Sequence, residues 1–248
     1  YVRSNRLPEA LAFMQSHEAR VPAEASEFWR LLGEVAWDLQ RVDIARGAYA
    51  NYVKSESATS DDWGRLVALA GVQQTDQAAN LALEGYRRFG TFALLTQALE
   101  MFANQAQWTR MGEALALLQG AALTDAESSS QFLLLRARYA QGLKQADNAW
   151  ADLRRAMVMD PVSKTVGLSS LWFLIDQQRT AELTAALKHY QSNGGDADYW
   201  PAFAAGHQVL NQQRQALSWY QRIVAKAPQD VFTLLNYADA LERNQQAG

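Results

Sequence analysis

Apolar residues recur three and four positions apart along almost the whole chain, and runs that alternate apolar and polar residues are short. This spacing is that of an amphipathic α-helix, whereas a half-buried β-strand would alternate. Proline is scarce, and glycine falls between the periodic segments. The pattern therefore predicts an all-α chain of short amphipathic helices.

The helical pattern repeats with a nearly constant period. Trp29 and Trp63 lie 34 residues apart. The same interval joins Gly33 to Val67, Ala45 to Ala79, Tyr49 to Leu83 and Tyr52 to Tyr86. A later series with almost the same interval is Ala137, Leu171, Ala204 and Ala238. A period near 34 residues is the signature of tetratricopeptide repeats, in which each repeat is a helix–turn–helix hairpin.

Two positions in each period govern how closely the helices of a hairpin can approach. Gly33 on a first helix and Ala45, twelve positions on, are both small. The fifth period instead has Leu171 and Leu183 at these two positions. Since larger side chains hold helix axes apart, we expect the two helices of the fifth hairpin to be more widely separated.

The sequence resembles the tetratricopeptide family over almost its whole length. The clearest copies are 28–33, with Ala45 and Tyr49, and 216–228. The resemblance implies a tetratricopeptide-repeat superhelix, an α-solenoid formed by a single array of hairpins. The repeats are assigned to 26–59, 60–93, 94–129, 130–163, 164–196 and 197–230, with partial repeats at 1–25 and 231–248.

The third repeat departs most from the pattern. Ala98 and Ala137 are 39 residues apart, and Arg110 or Met111 falls where a small residue belongs. The segment 119–130 is rich in alanine and serine. We therefore expect a longer connector between the third and fourth hairpins.

Composition narrows the possible ligands. The formal charge is -3 and the pI is near 5.7, whereas a protein that binds nucleic acid normally carries a clustered positive face. The longest apolar stretch, Val166–Ile175, is about half the roughly 20 residues that a membrane-spanning helix needs. The chain begins Tyr1-Val2-Arg3-Ser4 without an initiator Met, as expected of a fragment of a longer protein. We predict no nucleic acid partner and no membrane insertion of this segment.

Sequence signatures of catalysis and metal binding are absent. The chain has no cysteine, and His17, His189 and His207 fall in different repeats without a second ligand at metal-binding spacing. No phosphate-binding glycine loop or nucleophile elbow occurs. The segment 194–198 lacks the alternating acids of a calcium loop and is interpreted as a turn that leads into a helix N-cap. We predict a protein that is not an enzyme and that has no metal or cofactor.

A partner would bind where the first helices line the concave face of the array. Family positions carried onto this chain place there Arg30, Glu34, Trp37, Asp38, Arg138, Gln141, Trp172, Asp176 and Asp239. Neighbouring positions of the same face are Glu27, Gln131, Leu134, Leu168, Ile175, Leu235 and Glu242. The lysine pair of a carboxylate clamp is missing. Trp37 and Trp172 are candidate aromatic anchors, although packing against a neighbouring helix would equally account for them.

Two short segments, Leu171–Asp176 and Leu234–Glu242, resemble the periplasmic repeat region of Pel-type exopolysaccharide export proteins. This resemblance implies a periplasmic segment of an outer-membrane protein that recruits a polysaccharide deacetylase or hydrolase. An acidic groove would also suit a cationic, partly deacetylated polysaccharide. Two alternatives remain open. One is a cytoplasmic adaptor that binds peptide tails or assembles a complex, and the other is the helical arm of an enzyme whose catalytic domain lies elsewhere.

Overall fold

The computed structural model describes residues 6–72, 75–192 and 196–246. Within these ranges the chain forms fifteen α-helices and one short 3₁₀ turn, and no strand. The predicted all-α class of tetratricopeptide hairpins is thus confirmed. The chain divides into two compact units, unit one up to Ala126 and unit two from Glu127 onwards.

Unit one contains eight helices. Their bounds are α1 Leu7–Glu18, α2 Ser26–Asp38, α3 Val42–Tyr52, α4 Ser60–Gly71, α5 Thr75–Phe89, α6 Phe92–Asn104, α7 Trp108–Leu115 and α8 Gly120–Ala126. α2 packs against α3, α4 against α5, and α6 against α7, and each hairpin also packs against the next. The core is therefore continuous from hairpin to hairpin inside the unit, as expected of a repeat protein.

Unit two contains seven helices. Their bounds are α9 Ser130–Gly142, α10 Ala146–Met159, α11 Lys164–Asp176, α12 Thr180–Ser192, α13 Trp200–Val209, α14 Gln213–Lys226 and α15 Val231–Gln246. The pairs α9–α10, α11–α12 and α13–α14 are hairpins, and α15 packs against α14. The 3₁₀ turn, Ala197–Tyr199, leads directly into α13.

The same turn joins the two helices of five hairpins. In each turn a residue other than glycine has a positive φ, between 51° and 60°: Gln40, Ala106, Lys144, Gln178 and Asn211. The amide of the following residue donates to a carbonyl five positions back, as Arg41 N does to Ala36 O at 2.8 Å. This is the Schellman arrangement, which satisfies the last carbonyls of a helix. It ends the first helices sharply without glycine.

Packing inside the hairpins follows the size of the close-approach residues. A Cβ added to Gly33 would lie 3.0 Å from the Tyr49 ring, so the absence of a side chain lets that ring lie against α2. In α11–α12, Leu171 and Leu183 are both fully buried at the same positions. The backbones of α11 and α12 approach each other at fewer places than those of α2 and α3. The expected wider separation in the fifth hairpin is confirmed.

The third hairpin corrects the register assumed from sequence. Its left-handed turn residue, Ala106, lies 66 residues after Gln40, and this interval places Leu99 and Met111 at the close-approach positions. Both are fully buried. Ala98, the residue assigned from the sequence, is one position too early. The expected connector at 119–130 is largely taken up by the short helix α8.

A charged cluster holds α9 to α10. Arg136 Nε and Nη2 donate to the two carboxylate oxygens of Asp152, each at 2.7 Å. Glu127 accepts from Arg136 and also from Arg155, at 3.2 Å. Asp152 is buried, and the planar guanidinium fits its carboxylate in bidentate fashion. The pKa of Glu127 is held below its ordinary value, chiefly by the hydrogen bond from Arg136.

Candidate partner-binding surface

The outward side of α2 carries a row of paired charges. Arg30 donates to Glu27 at 2.5 Å and 3.1 Å, and to Glu34 at 2.6 Å. The hydrogen bond from Arg30 lowers the pKa of the fully exposed Glu27 carboxyl. Arg30 therefore serves to order two carboxylates, and a partner would meet a predominantly acidic row.

Trp37 follows this row and borders a groove between two hairpins. Its side chain is 44 % exposed, although it stands at the end of a helix whose other large apolar residues are mostly buried. The groove has a volume of about 800 Å³. We define the Trp37 groove by Trp37, Asp38, Arg41, Val42, Leu69 and Val72.

The two sides of the Trp37 groove come from successive repeats. Trp37 and Asp38 end α2, and Val42 begins α3. Leu69 lies near the end of α4 and is buried, and Val72, directly after its last residue, is 69 % exposed. The groove thus has an apolar floor and one exposed apolar side chain on each wall. Such a shape is suited to receive a side chain from a partner.

The Trp37 groove has charged groups of both signs. Asp38 lines it directly, and Glu34 lies one turn earlier on α2, while Arg41 is a basic residue of the lining. The carboxyl ends of both α2 and α4 border the groove. A helix carboxyl end carries a partial negative charge of about half an electron. These two ends add to the charge of Asp38, whereas Arg41 and the amino end of α3 at Val42 oppose it.

In unit two the predicted residues lie on α9, α11 and α15. Arg138, Trp172 and Asp239 occupy equivalent positions on these first helices, and Trp172 is 41 % exposed. Gln141 and Asp176 are exposed near the ends of α9 and α11. Asp239 accepts from Arg243 at 2.8 Å. Trp172 corresponds to Glu34 in unit one, and a second exposed aromatic residue, Phe232 of α15, corresponds to Glu27.

Comparison with known proteins assigns the family. The sequence profile of the family described as "Tetratricopeptide repeat" matches residues 2–248. The chain belongs to the tetratricopeptide repeat family. These repeats indicate a scaffold for protein–protein interaction. No curated protein matches the chain.

Solved tetratricopeptide structures share the fold at low sequence identity. A repeat protein from Cytophaga hutchinsonii is 14 % identical, with 94 % of this chain and 95 % of that chain covered and a TM-score of 0.64. PilF from Pseudomonas aeruginosa is 12 % identical, with 87 % and 96 % covered and a TM-score of 0.61. The Cut9–Hcn1 structure of the APC/C matches at 12 % identity and a TM-score of 0.60, with 96 % of this chain covered. The present chain spans 47 % of that protein.

Some predicted residues of the tetratricopeptide face belong to the core instead. Ile175 is only 9 % exposed and lies in the main apolar cluster of unit two, so its assignment to the binding face was wrong. α11 is apolar on nearly every side because it packs against α10, α12 and α13. Leu134 and Leu168 are half-buried against the same cluster. Among the aliphatic residues predicted for this face, Leu235 of α15 is exposed.

The histidines of the tetratricopeptide repeats have local contacts. The buried His207 ring donates from Nδ1 to Gln212 Oε1 at 2.6 Å, and its Nε2 accepts from Gln191 at 2.8 Å. His17 contacts the Phe13 carbonyl oxygen, and His189 packs edge-on against Tyr190. Across 6–72, 75–192 and 196–246, no three His, Asp or Glu side chains converge in a way that could hold a metal ion.

Two further sequence interpretations concern the segment 194–198 and the membrane. Gly194 and Gly195 lie outside the described residues. Asp196 Oδ1 accepts from the Asp198 amide at 3.1 Å, so Asp196 caps the 3₁₀ turn as an N-cap. In the part of the tetratricopeptide chain that the structure describes, every helix is too short or too polar to span a bilayer.

Proposed function

We propose that this chain is a non-catalytic scaffold that binds a protein partner through its first helices, with Trp37 and Trp172 as anchors. The observation that carries the proposal is the exposure of these two indoles, 44 % and 41 %. Aromatic residues that a partner can bury dominate binding energy at protein interfaces. Both residues lie on first helices, one in each unit.

The contrast with core tryptophans supports a binding role. Trp29 and Trp63 are buried, and their indole nitrogens donate to the carbonyls of Pro22, at 3.0 Å, and Leu81, at 2.5 Å. These contacts tie one segment of the hairpin array to another. Trp37 and Trp172 leave much more ring surface in water. A large exposed aromatic group stabilises the fold less than a buried one. The presence of Trp37 and Trp172 at exposed positions is therefore better explained by a partner that covers them.

The setting that we propose is Pel-type exopolysaccharide secretion. There the segment lies in the periplasm as part of an outer-membrane protein and recruits a polysaccharide deacetylase or hydrolase. The proposal is supported by the resemblance of Leu171–Asp176 and Leu234–Glu242 to that group of proteins. The exposed acids Asp38, Asp176 and Asp239 would also favour a cationic polysaccharide near the scaffold.

Site-specific photo-crosslinking in the full-length protein tests the proposal. A photo-reactive residue would replace Trp37 or Trp172, and matched controls would carry it at Arg87 or Lys188, which are exposed on second helices. We expect a protein adduct from the two tryptophan positions and none from the controls. Adducts only from the controls, or none at all, would contradict the binding face.

The identity of the captured protein tests the setting. A periplasmic polysaccharide-modifying enzyme would support the secretion role, whereas a cytoplasmic protein would establish the adaptor alternative. Polysaccharide export should also fall when Trp37 and Trp172 are both replaced by Ala. Unchanged export in cells with normal amounts of the variant protein would contradict the secretion role.

A further inference from the structure

We draw no further inference here: the strongest candidate, the exposed apolar face of α15 formed by Val231, Leu234, Leu235 and Ala238, carries none, because nothing in the described part of the structure shows what covers it.

Discussion

The hairpins α2–α3 and α9–α10 fill the same interior positions with opposite chemistry. Leu32 and Ala48 are fully buried against each other's helices in α2–α3. Arg136 and Asp152, which lie 104 residues later, form a bidentate ion pair in α9–α10. Both hairpins nevertheless pack their two helices together to a similar extent. The repeat therefore constrains how closely two helices pack, and it tolerates either apolar or charged contacts between them.

The apolar contact and the ion pair should lose stability in different ways when one member is substituted. When one side chain of an apolar pair is truncated, the loss of stability increases with the volume that is removed. A buried ion pair that loses one member leaves a charge without its partner, which is costly even where the intact pair adds little. Exchanging the two chemistries is the most direct way to examine the difference.

The largest expected effect comes from Asp152→Ala. It leaves the Arg136 guanidinium without its bidentate partner, and we expect a loss of about 3 kcal/mol in the free energy of unfolding. Leu32→Ala in the other hairpin should cost a similar amount, about 2–5 kcal/mol, through the cavity that it creates. Urea denaturation followed by circular dichroism would measure both.

The double variant Arg136→Leu/Asp152→Ala separates the two mechanisms. It converts the charged pair into the Leu32/Ala48 combination, and we expect stability within about 1 kcal/mol of the unaltered chain. If the double variant were as unstable as Asp152→Ala alone, the loss would have to come from packing volume rather than from an uncompensated charge.

A smaller effect is expected at the close-approach position. Gly33→Ala places a Cβ 3.0 Å from the Tyr49 ring, and we expect it to lower stability by about 1 kcal/mol despite the better helix propensity of Ala. Ala137, at the equivalent position of α9, faces Leu153 and not Tyr. Ala137→Gly should also cost about 1 kcal/mol, because Gly disfavours the helix.

The matched test is the pair of substitutions Gly33→Ala and Tyr49→Leu, which recreates Ala137 with Leu153. Thermal unfolding of the single and double variants gives the coupling between the two positions. We expect the double variant to be more stable than the sum of the single effects. Strict additivity would show that the aromatic ring does not require the glycine.

The smallest effect concerns pH. Glu127, whose pKa is lowered in the folded state below its ordinary value of 4.5, has Ala23 as its counterpart near α2. A carboxyl with a lowered pKa stabilises the fold above its ordinary pKa, and this stabilisation is lost as the pH falls through the folded-state pKa. Near neutral pH the free energy of unfolding of the unaltered protein should be higher than that of Glu127→Gln by at most about 1 kcal/mol. The difference should vanish on acidification; a constant difference would exclude the ionic origin.

Much of the fold could be predicted from the period of the sequence, because small residues and large residues recur at positions with one steric role. Leu171 and Leu183 even indicated which hairpin would be wider. The third hairpin was misjudged by one residue, since the register there is set by the turn at Ala106 rather than by a small residue on α6. An alanine in a left-handed turn gives almost no sequence signal.

The binding face was less predictable. The exposure of Trp37 and Trp172 depends on how the neighbouring helices pack. The positions of these two residues in the repeat do not determine whether their side chains are exposed. Val72, which also lines the groove, was missed because its exposure does not follow from its position: the equivalent residue of α13, Val209, is half-buried against the core of unit two. Arg136 and Asp152 were also missed. Two charges of opposite sign, sixteen residues apart at positions that are apolar in another copy, would have indicated a pair.

The five left-handed turns have a consequence for the evolution of the array. A residue other than glycine in this conformation costs roughly 1 kcal/mol, and the hydrogen bonds of the turn are made by the backbone alone. Gln, Ala, Lys and Asn therefore serve interchangeably, and selection can alter these side chains without disturbing the hairpins. The Gln40 turn, which lines the Trp37 groove, is thus a place where partner specificity could diverge while the scaffold is inherited intact.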